Sequence, residues 1–233
     1  MDAFINHLLY GVYPYSALAV LAIGSIVRFD REPYSWRSGS SQLLRRKQLI
    51  WGSVLFHIGV LFIFFGHLIG LLTPIALFDA LGISHGAKQL LAIIAGGIAG
   101  AMAIIGATML IHRRFFDPRV RAASNFSDNM IILILWVQLA LGLATIPLSA
   151  GHLDGSEMVK FMSWAQGIFT FQSGAADHIR DVHIIFKLHL FLGLTILLLF
   201  PFTRLVHMLS APVRYLWRGG YQIVRSRRSL SHG

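Results

Sequence analysis

The chain of 233 residues contains no cysteine. That excludes disulfides, thiolate-held iron–sulfur clusters and the C-x-x-C-H attachment of covalent haem. Charge is scarce as well. Charged residues make up 13% and hydrophobic residues 55%, with a mean hydropathy of +0.66. Soluble domains carry about a quarter charged residues, so the composition is that of an integral membrane protein. No internal repeat, P-loop or dinucleotide fingerprint is present. Asp2 and the lack of a basic start before the first apolar run argue against a cleavable signal peptide. The polar stretches, near residues 29–47, near 113–128 and after Ala211, are too short for a catalytic domain with its own core. An enzyme served by this chain has most of its chemistry on another one.

What the sequence has in abundance is long apolar runs. Uncharged stretches lie at Ala3–Val27, Gln48–Phe78, Gln89–His112 and Asn129–Leu153, and a fifth, Val182–Leu209, is interrupted by Lys187 and Arg204. Each exceeds the roughly 20 residues a helix needs to cross the hydrocarbon. The period-two alternation of barrel strands is absent. The expectation is an all-α, polytopic five-helix bundle, with spans at about 3–27, 48–72, 89–112, 129–148 and 182–209. It forms a single membrane domain over 1–233, with a short cytoplasmic tail at 212–233.

The basic residues orient it. One side of the alternation collects Arg28, Arg31, Arg37, Arg45, Arg46, Lys47, Arg113, Arg114, Arg119, Arg121, Arg204, Arg214, Arg218, Arg225, Arg227 and Arg228. The other holds only Lys88, Lys160, Arg180 and Lys187. By the positive-inside rule the N-terminus is outside and the C-terminus cytoplasmic. The net charge of +10 is thus a topology signal, with attraction to anionic lipid or a partner, and calls for no nucleic acid.

Ser149–Asp181 is the longest exterior segment. In it Met158, Phe161, Met162, Ala165, Ile168 and Phe169 share a helical face, with Trp164 nearby. A helix lying along the outer membrane surface and a cap packed over the bundle both fit this pattern. Gly96, Gly100, Ala103 and Gly106 form a small-residue stripe along the third span, the pattern that lets helices approach closely.

Of the eleven histidines, four sit well inside spans: His57 and His67 on the second, His189 and His207 on the fifth. A polar ring in lipid is costly and marks a functional site by default. One isolated histidine bonded to a neighbouring carbonyl would explain itself; two on each of two helices do not. The two spans run antiparallel, which pairs His67 with His189 near the outer face and His57 with His207 near the inner, and excludes the crossed pairing. At about 1.5 Å per residue the separations are ~15 Å and ~27 Å, to be reconciled by tilt around two sites roughly 20 Å apart. Eighteen residues at about 100° return His189 and His207 to one face, whereas ten leave His57 and His67 about 80° apart. Structural zinc wants four grouped ligands, and two per level is too few. Two stacked pairs point to two non-covalent haems b, each held from both sides by imidazole. With both axial positions filled by protein, such a site moves electrons and binds no substrate at iron.

Several stretches now carry a resemblance: YPYSALAVLAIGSIVRFD, LFHIGVLFIFFGHLIGLLTP, RRFFDPRVRA, GHLDGSEMVKFMSWAQ and FKLHLFLGLTILLLFPFTRLVH. Together they cover nearly the whole chain, which resembles the gamma subunit, a cytochrome b, of membrane-bound respiratory nitrate reductase. The resemblance implies a diheme quinol-oxidising anchor in the bacterial cytoplasmic membrane. It implies two partners, an iron–sulfur beta subunit and a molybdenum-containing alpha subunit that reduces nitrate. It implies the same pairing, His67 with His189 for the outer haem and His57 with His207 for the inner. Its quinol site maps onto Gly66, His67 and Lys88, although the loop before the lysine differs in length. Other quinone-linked haem-b anchors, serving formate dehydrogenase, hydrogenase or sulfur metabolism, are the nearest alternative. A histidine-bearing transporter or channel, or a purely structural anchor, would show no haem spectrum.

Among the residues themselves, Lys88 stands where the third span begins, at the level of the outer pair. Its ammonium suits a quinone oxygen or a haem propionate, against the plainer role of an interfacial lysine reaching for water. Arg204, three residues before His207, and Arg113 and Arg114 at the same depth are candidates to neutralise inner-haem propionates.

Overall fold

The computed structural model describes residues 2–36 and 44–210, and every regular element among them is helical. The tail expected at 212–233 lies outside the described residues. Among the described residues five helices are long and apolar enough to cross a membrane: Ala3–Arg31, Arg46–Leu72, His85–Phe116, Phe126–Ala150 and Ile184–Phe202. They are called the first to fifth spans below. In hydrocarbon each backbone group must find its partner within its own helix, and local chemistry sets the ends. Ser84 Oγ accepts from the Ala87 N–H (3.2 Å) to start the third span. Asp117 stops it and caps the next turn, its Oδ1 accepting from Arg119 and Val120 N–H groups at 2.9 and 3.2 Å. The first and third helices outrun the apolar stretches because Arg28, Arg31, Arg113 and Arg114 continue the helix, with Arg28 and Arg114 finding partners on neighbouring segments.

The fifth span departs from expectation. Its α-helix covers Ile184–Leu199, followed by a single 3-10 turn, Phe200–Phe202. Thr203 is extended (φ −121°, ψ 178°), and a second 3-10 stretch runs over Arg204–Ser210. Pro201 supplies no N–H to the helical ladder, and the chain turns extended at Thr203, which breaks the run expected to reach 209. His207 therefore does not share a helix with His189, and the eighteen-residue periodicity argument does not apply.

The second span packs along the third, the third along the fourth, the fourth along the fifth, and the fifth along the first. The closest approach is between second and third. A Cβ on Gly59 would stand 2.5 Å from Ala99 O and 2.8 Å from Ala103 Cβ, and one on Gly106 would stand 2.7 Å from Gly52 O. The small-residue stripe thus divides: Ala103 and Gly106 serve this contact, Gly100 faces Leu143 of the fourth span, and Gly96 faces open space. Exposed apolar residues such as Ile58, Phe62 and Phe65 on the second span form the surface offered to lipid.

Ser156–Phe169 is a helix, and its buried residues show it to be a cap on the bundle. Met162, Ala165 and Ile168 are buried against the spans as the periodicity predicts, and so is Trp164, whose Nε1 donates to Tyr10 O (2.9 Å). Phe169, by contrast, is exposed. Gln166 Nε2 donates to Leu71 O and Thr73 O (3.1 and 2.9 Å), satisfying carbonyls left free where the second span ends. The Tyr10 carbonyl is offered from a π-turn, Leu8–Val12, in the first span.

Candidate functional site: two histidine pairs between spans

The second and fifth spans are not among the helix pairs that pack closely. Imidazoles reach across the space between them. The His67 and His189 ring centroids lie 6.1 Å apart at 45°, and those of His57 and His207 lie 6.3 Å apart at 70°. The expected pairs are the ones brought together. Two metal–nitrogen bonds of about 2 Å, plus about 1.1 Å from each nitrogen to its ring centre, give about 6.3 Å between rings ligating one metal from opposite sides. Both pairs match that spacing. Among the described residues no group of three or more His, Cys, Asp or Glu gathers at one point, so each level offers two nitrogens.

The rings are also oriented. His57 Nδ1 bonds Ser53 O (2.7 Å), His67 Nδ1 bonds Ile63 O (2.9 Å), and His207 Nδ1 bonds Arg204 O. A proton held on Nδ1 by a carbonyl leaves Nε2 with its lone pair outward, the usual arrangement of a metal-binding histidine. For His57 and His67 that carbonyl lies one turn back in the same helix. His207 owes its place to the break: Arg28 Nη1 donates to Pro201 O (2.7 Å) and Thr203 O (2.8 Å), pinning the interrupted segment to the first span. His189 lacks such a carbonyl, and its Nδ1 is buried without a partner. Four imidazoles in two facing pairs, on helices that do not pack closely against each other, fit two groups each held by histidine from both sides.

At the His67 level, Gly66 faces open space, with nothing within 4 Å of where a Cβ would stand. Lys88 does not reach for water. It is buried, its Nζ donating to Gly70 O (3.0 Å) and Met162 Sδ (2.8 Å) and standing 3.6 Å from the centre of the Phe78 ring. Gly70 is three residues beyond His67, so the ammonium sits about one turn from the outer pair. Its carbonyl, sulfur and ring partners are neutral.

At the other level the three candidate arginines differ. Arg113 Nη2 donates to Leu44 O (2.7 Å). Arg114 Nη1 and Arg204 Nε converge on the two oxygens of Asp128, at 3.5 and 2.8 Å. That trio joins the ends of the third, fourth and fifth spans, with Arg204 one turn from His207. Nearby, Arg45 Nε meets Asp117 Oδ2 at 2.9 Å. Hydrogen bonds from the Val120 and Arg119 N–H groups, together with Arg45, hold the Asp117 carboxyl below the usual range.

The sequence did not mark Arg28, Asp128, Met162 or Gln138 as site residues. Gln138 had a usable signal, as a lone amide inside the apolar run ILILWVQLALGLATI. Arg28 had one in Pro201, whose helix break needs a donor for the freed carbonyls.

A sequence model of the nitrate reductase gamma subunit matches residues 6–227. The respiratory nitrate reductase 1 gamma chain of Escherichia coli (strain K12) is 50% identical over 224 residues, covering 96% of this chain and 99% of that one. The respiratory nitrate reductase 2 gamma chain of the same strain is 50% identical over 228 residues, 98% and 100% of the two chains. The nitrate reductase gamma chain of Bacillus subtilis (strain 168) is 36% identical over 222 residues, 95% and 99%. With its five spans and near-complete coverage of these relatives, the chain belongs to the nitrate reductase gamma subunit family.

Proposed function

We propose that this membrane subunit of respiratory nitrate reductase oxidises quinol near the His67–His189 pair and delivers the electrons toward the His57–His207 pair. From there they pass to a cytoplasmic iron–sulfur subunit, and nitrate is reduced on a molybdenum-containing subunit. The observation that carries the reading is the pair of ring separations, 6.1 and 6.3 Å, each at the spacing of two imidazoles on one metal. When bound, two haems supply a one-electron relay between the two levels. The residues of the chain do the rest.

His67 with His189, and His57 with His207, would hold a haem from its two faces, leaving no open position for quinol or oxygen. Lys88 presents an ammonium among neutral partners beside the outer pair, where it holds a quinol oxygen by a charge-assisted hydrogen bond. Gly66 leaves room for the ring to approach. The bias of basic residues to one side supports a His67–His189 level outside and a His57–His207 level toward the cytoplasm, and in that orientation protons leave the quinol on the outer side. Electrons travelling inward work against the membrane potential, about 2.3 kcal/mol per charge per 100 mV, and the drop in potential along the path supplies that work. Arg114 and Arg204, joined through Asp128, sit at the His57–His207 level and are suited to haem carboxylates.

Haem content of single-histidine variants tests the reading. His67→Ala and His189→Ala are expected each to remove one haem, and His57→Ala and His207→Ala the other, by pyridine haemochrome assay and redox difference spectra. A wild-type subunit with a single haem, or loss of the same haem from His57→Ala and His67→Ala, refutes it.

A further inference from the structure

An ammonium has three N–H donors and no acceptor, and three neutral groups stand around that of Lys88. Gly70 O accepts from Nζ at 3.0 Å, Met162 Sδ at 2.8 Å, and the centre of the Phe78 ring lies 3.6 Å away. They come from three elements: the end of the second span, the cap helix Ser156–Phe169 and the short helix Ile75–Ala80. Lys88 is buried. A quinol oxygen therefore reaches Nζ by replacing one of the three.

The three do not yield equally. Gly70 lies in the last turn of the second span, where carbonyls have no partner within the helix. Gln166 takes those of Leu71 and Thr73, and Lys88 takes that of Gly70. Withdrawing the ammonium from Gly70 would leave a carbonyl unpaired in apolar surroundings, at the cost of its desolvation. The face of the Phe78 ring attracts a cation more strongly the less water is near. The thioether differs from both. It is a weak acceptor, apolar enough to stand unpaired in a core, and its rotatable bonds let the sulfur move aside. Met162 and Gln166 are four residues apart and share one face of the cap helix. That face fastens the end of the second span through an amide and holds Lys88 through a sulfur.

We propose that Met162 is the positioning residue of Lys88 and sets the affinity for quinol: its sulfur holds the ammonium while the site is empty and gives up its place to a quinol oxygen. This rests on reading Lys88 as the quinol-binding residue. A thioether keeps the donor aimed without competing hard for it. An oxygen acceptor at the same place would hold the ammonium against the quinol, because hydrogen bonds from a charged donor to oxygen are among the strong ones. An aliphatic side chain would leave the quinol unopposed.

The test uses the intact complex, with Met162→Gln to supply an oxygen acceptor at similar length and Met162→Leu to remove the acceptor. Haem is counted first, and nitrate reduction is then followed at steady state with tetramethylbenzoquinol as donor. Both haems are expected in each variant. In Met162→Gln the KM for the quinol is expected to rise about tenfold, the scale of one hydrogen bond from a charged donor, with the change in KM rather than kcat, as for binding lost equally from ground and transition states. In Met162→Leu the KM is expected at or below the wild-type value. In a Lys88→Ala background the effect of Met162→Gln is expected to vanish, which a packing role would not produce. An unchanged KM in Met162→Gln overturns the proposal, and so does an equal rise in both variants. An effect of Met162→Gln that persists in full without Lys88 overturns it, as does loss of a haem from both variants, which reduces Met162 to packing. Wild-type quinol oxidation in Lys88→Ala alone overturns the reading of Lys88 itself, a result distinct from the others.

Discussion

Replacing Gly106 by alanine should remove the inner haem and spare the outer one. The reasoning starts from the contact between the second and third spans. A Cβ at Gly106 would lie 2.7 Å from Gly52 O and 2.9 Å from Phe56 Cα, backbone atoms that cannot rotate away. Comfortable carbon contacts begin near 3.5 Å, so the helices must part by about 1 Å. Helices in lipid are held together chiefly by such packing, and overpacking costs roughly 1–3 kcal/mol. The larger consequence is geometric. Phe56 precedes His57, whose ring stands 6.3 Å from that of His207, the spacing of two bonds of about 2 Å to one metal. Moving one imidazole by about 1 Å stretches a bond of that length by half, which is loss of ligation. The outer pair is ten residues away along the helix and should keep its haem. Purified complex would be assayed by pyridine haemochrome and redox titration, with Gly97→Ala as control, since a Cβ there meets only the flexible tip of Ile146 at 3.4 Å. The expected result is half the haem in Gly106→Ala and all of it in Gly97→Ala. Both haems retained at native potentials in Gly106→Ala would refute the reasoning, as would equal loss in the control.

Two further outcomes are expected. Lys88→Ala should leave both haems bound but slow quinol-dependent haem reduction ten- to a hundredfold, the effect of losing a charge-assisted hydrogen bond of about 1.5–3 kcal/mol. Lys88→Arg should restore the rate only in part, because a planar fork places its donors differently; stopped-flow reduction measures both, and a wild-type rate in Lys88→Ala would move the quinol site elsewhere. A reporter fused after His232 should report the cytoplasm and one near Gly155 the exterior, and the reverse pattern would exchange the outer and inner levels and reverse the direction of electron flow.

The spans were legible because the membrane leaves a chain few options. Every backbone polar group must be satisfied locally, so long uncharged runs become helices whatever their packing, and only the ends needed the caps at Ser84 and Asp117 to be located. The histidine pairing was legible for a similar reason, since antiparallel direction alone fixes which rings share a level. Lys88 stood out in the sequence, but its surroundings did not. Its partners come from Gly70 and Phe78, around the end of the second span, and from Met162 on the cap helix, and no local pattern reports such convergence.

The break in the fifth span shows where sequence periodicity fails and why the pairing survives it. A straight helix would place His207 about 27 Å below His189, against about 15 Å between His57 and His67, a mismatch that tilt alone absorbs poorly. Ending the α-helix at Leu199 lifts that constraint, because the position of His207 is then set by the segment Phe200–Ser210 and by what holds it. Arg28 holds it from the first span through the Pro201 and Thr203 carbonyls, and Gly24 gives Pro201 its room, with a Cβ there 2.8 Å from the Pro201 ring. The first span carries no histidine of either pair, yet it fixes the depth of one. Its arginine, counted in the sequence only as a topology signal, thereby holds the segment that carries His207.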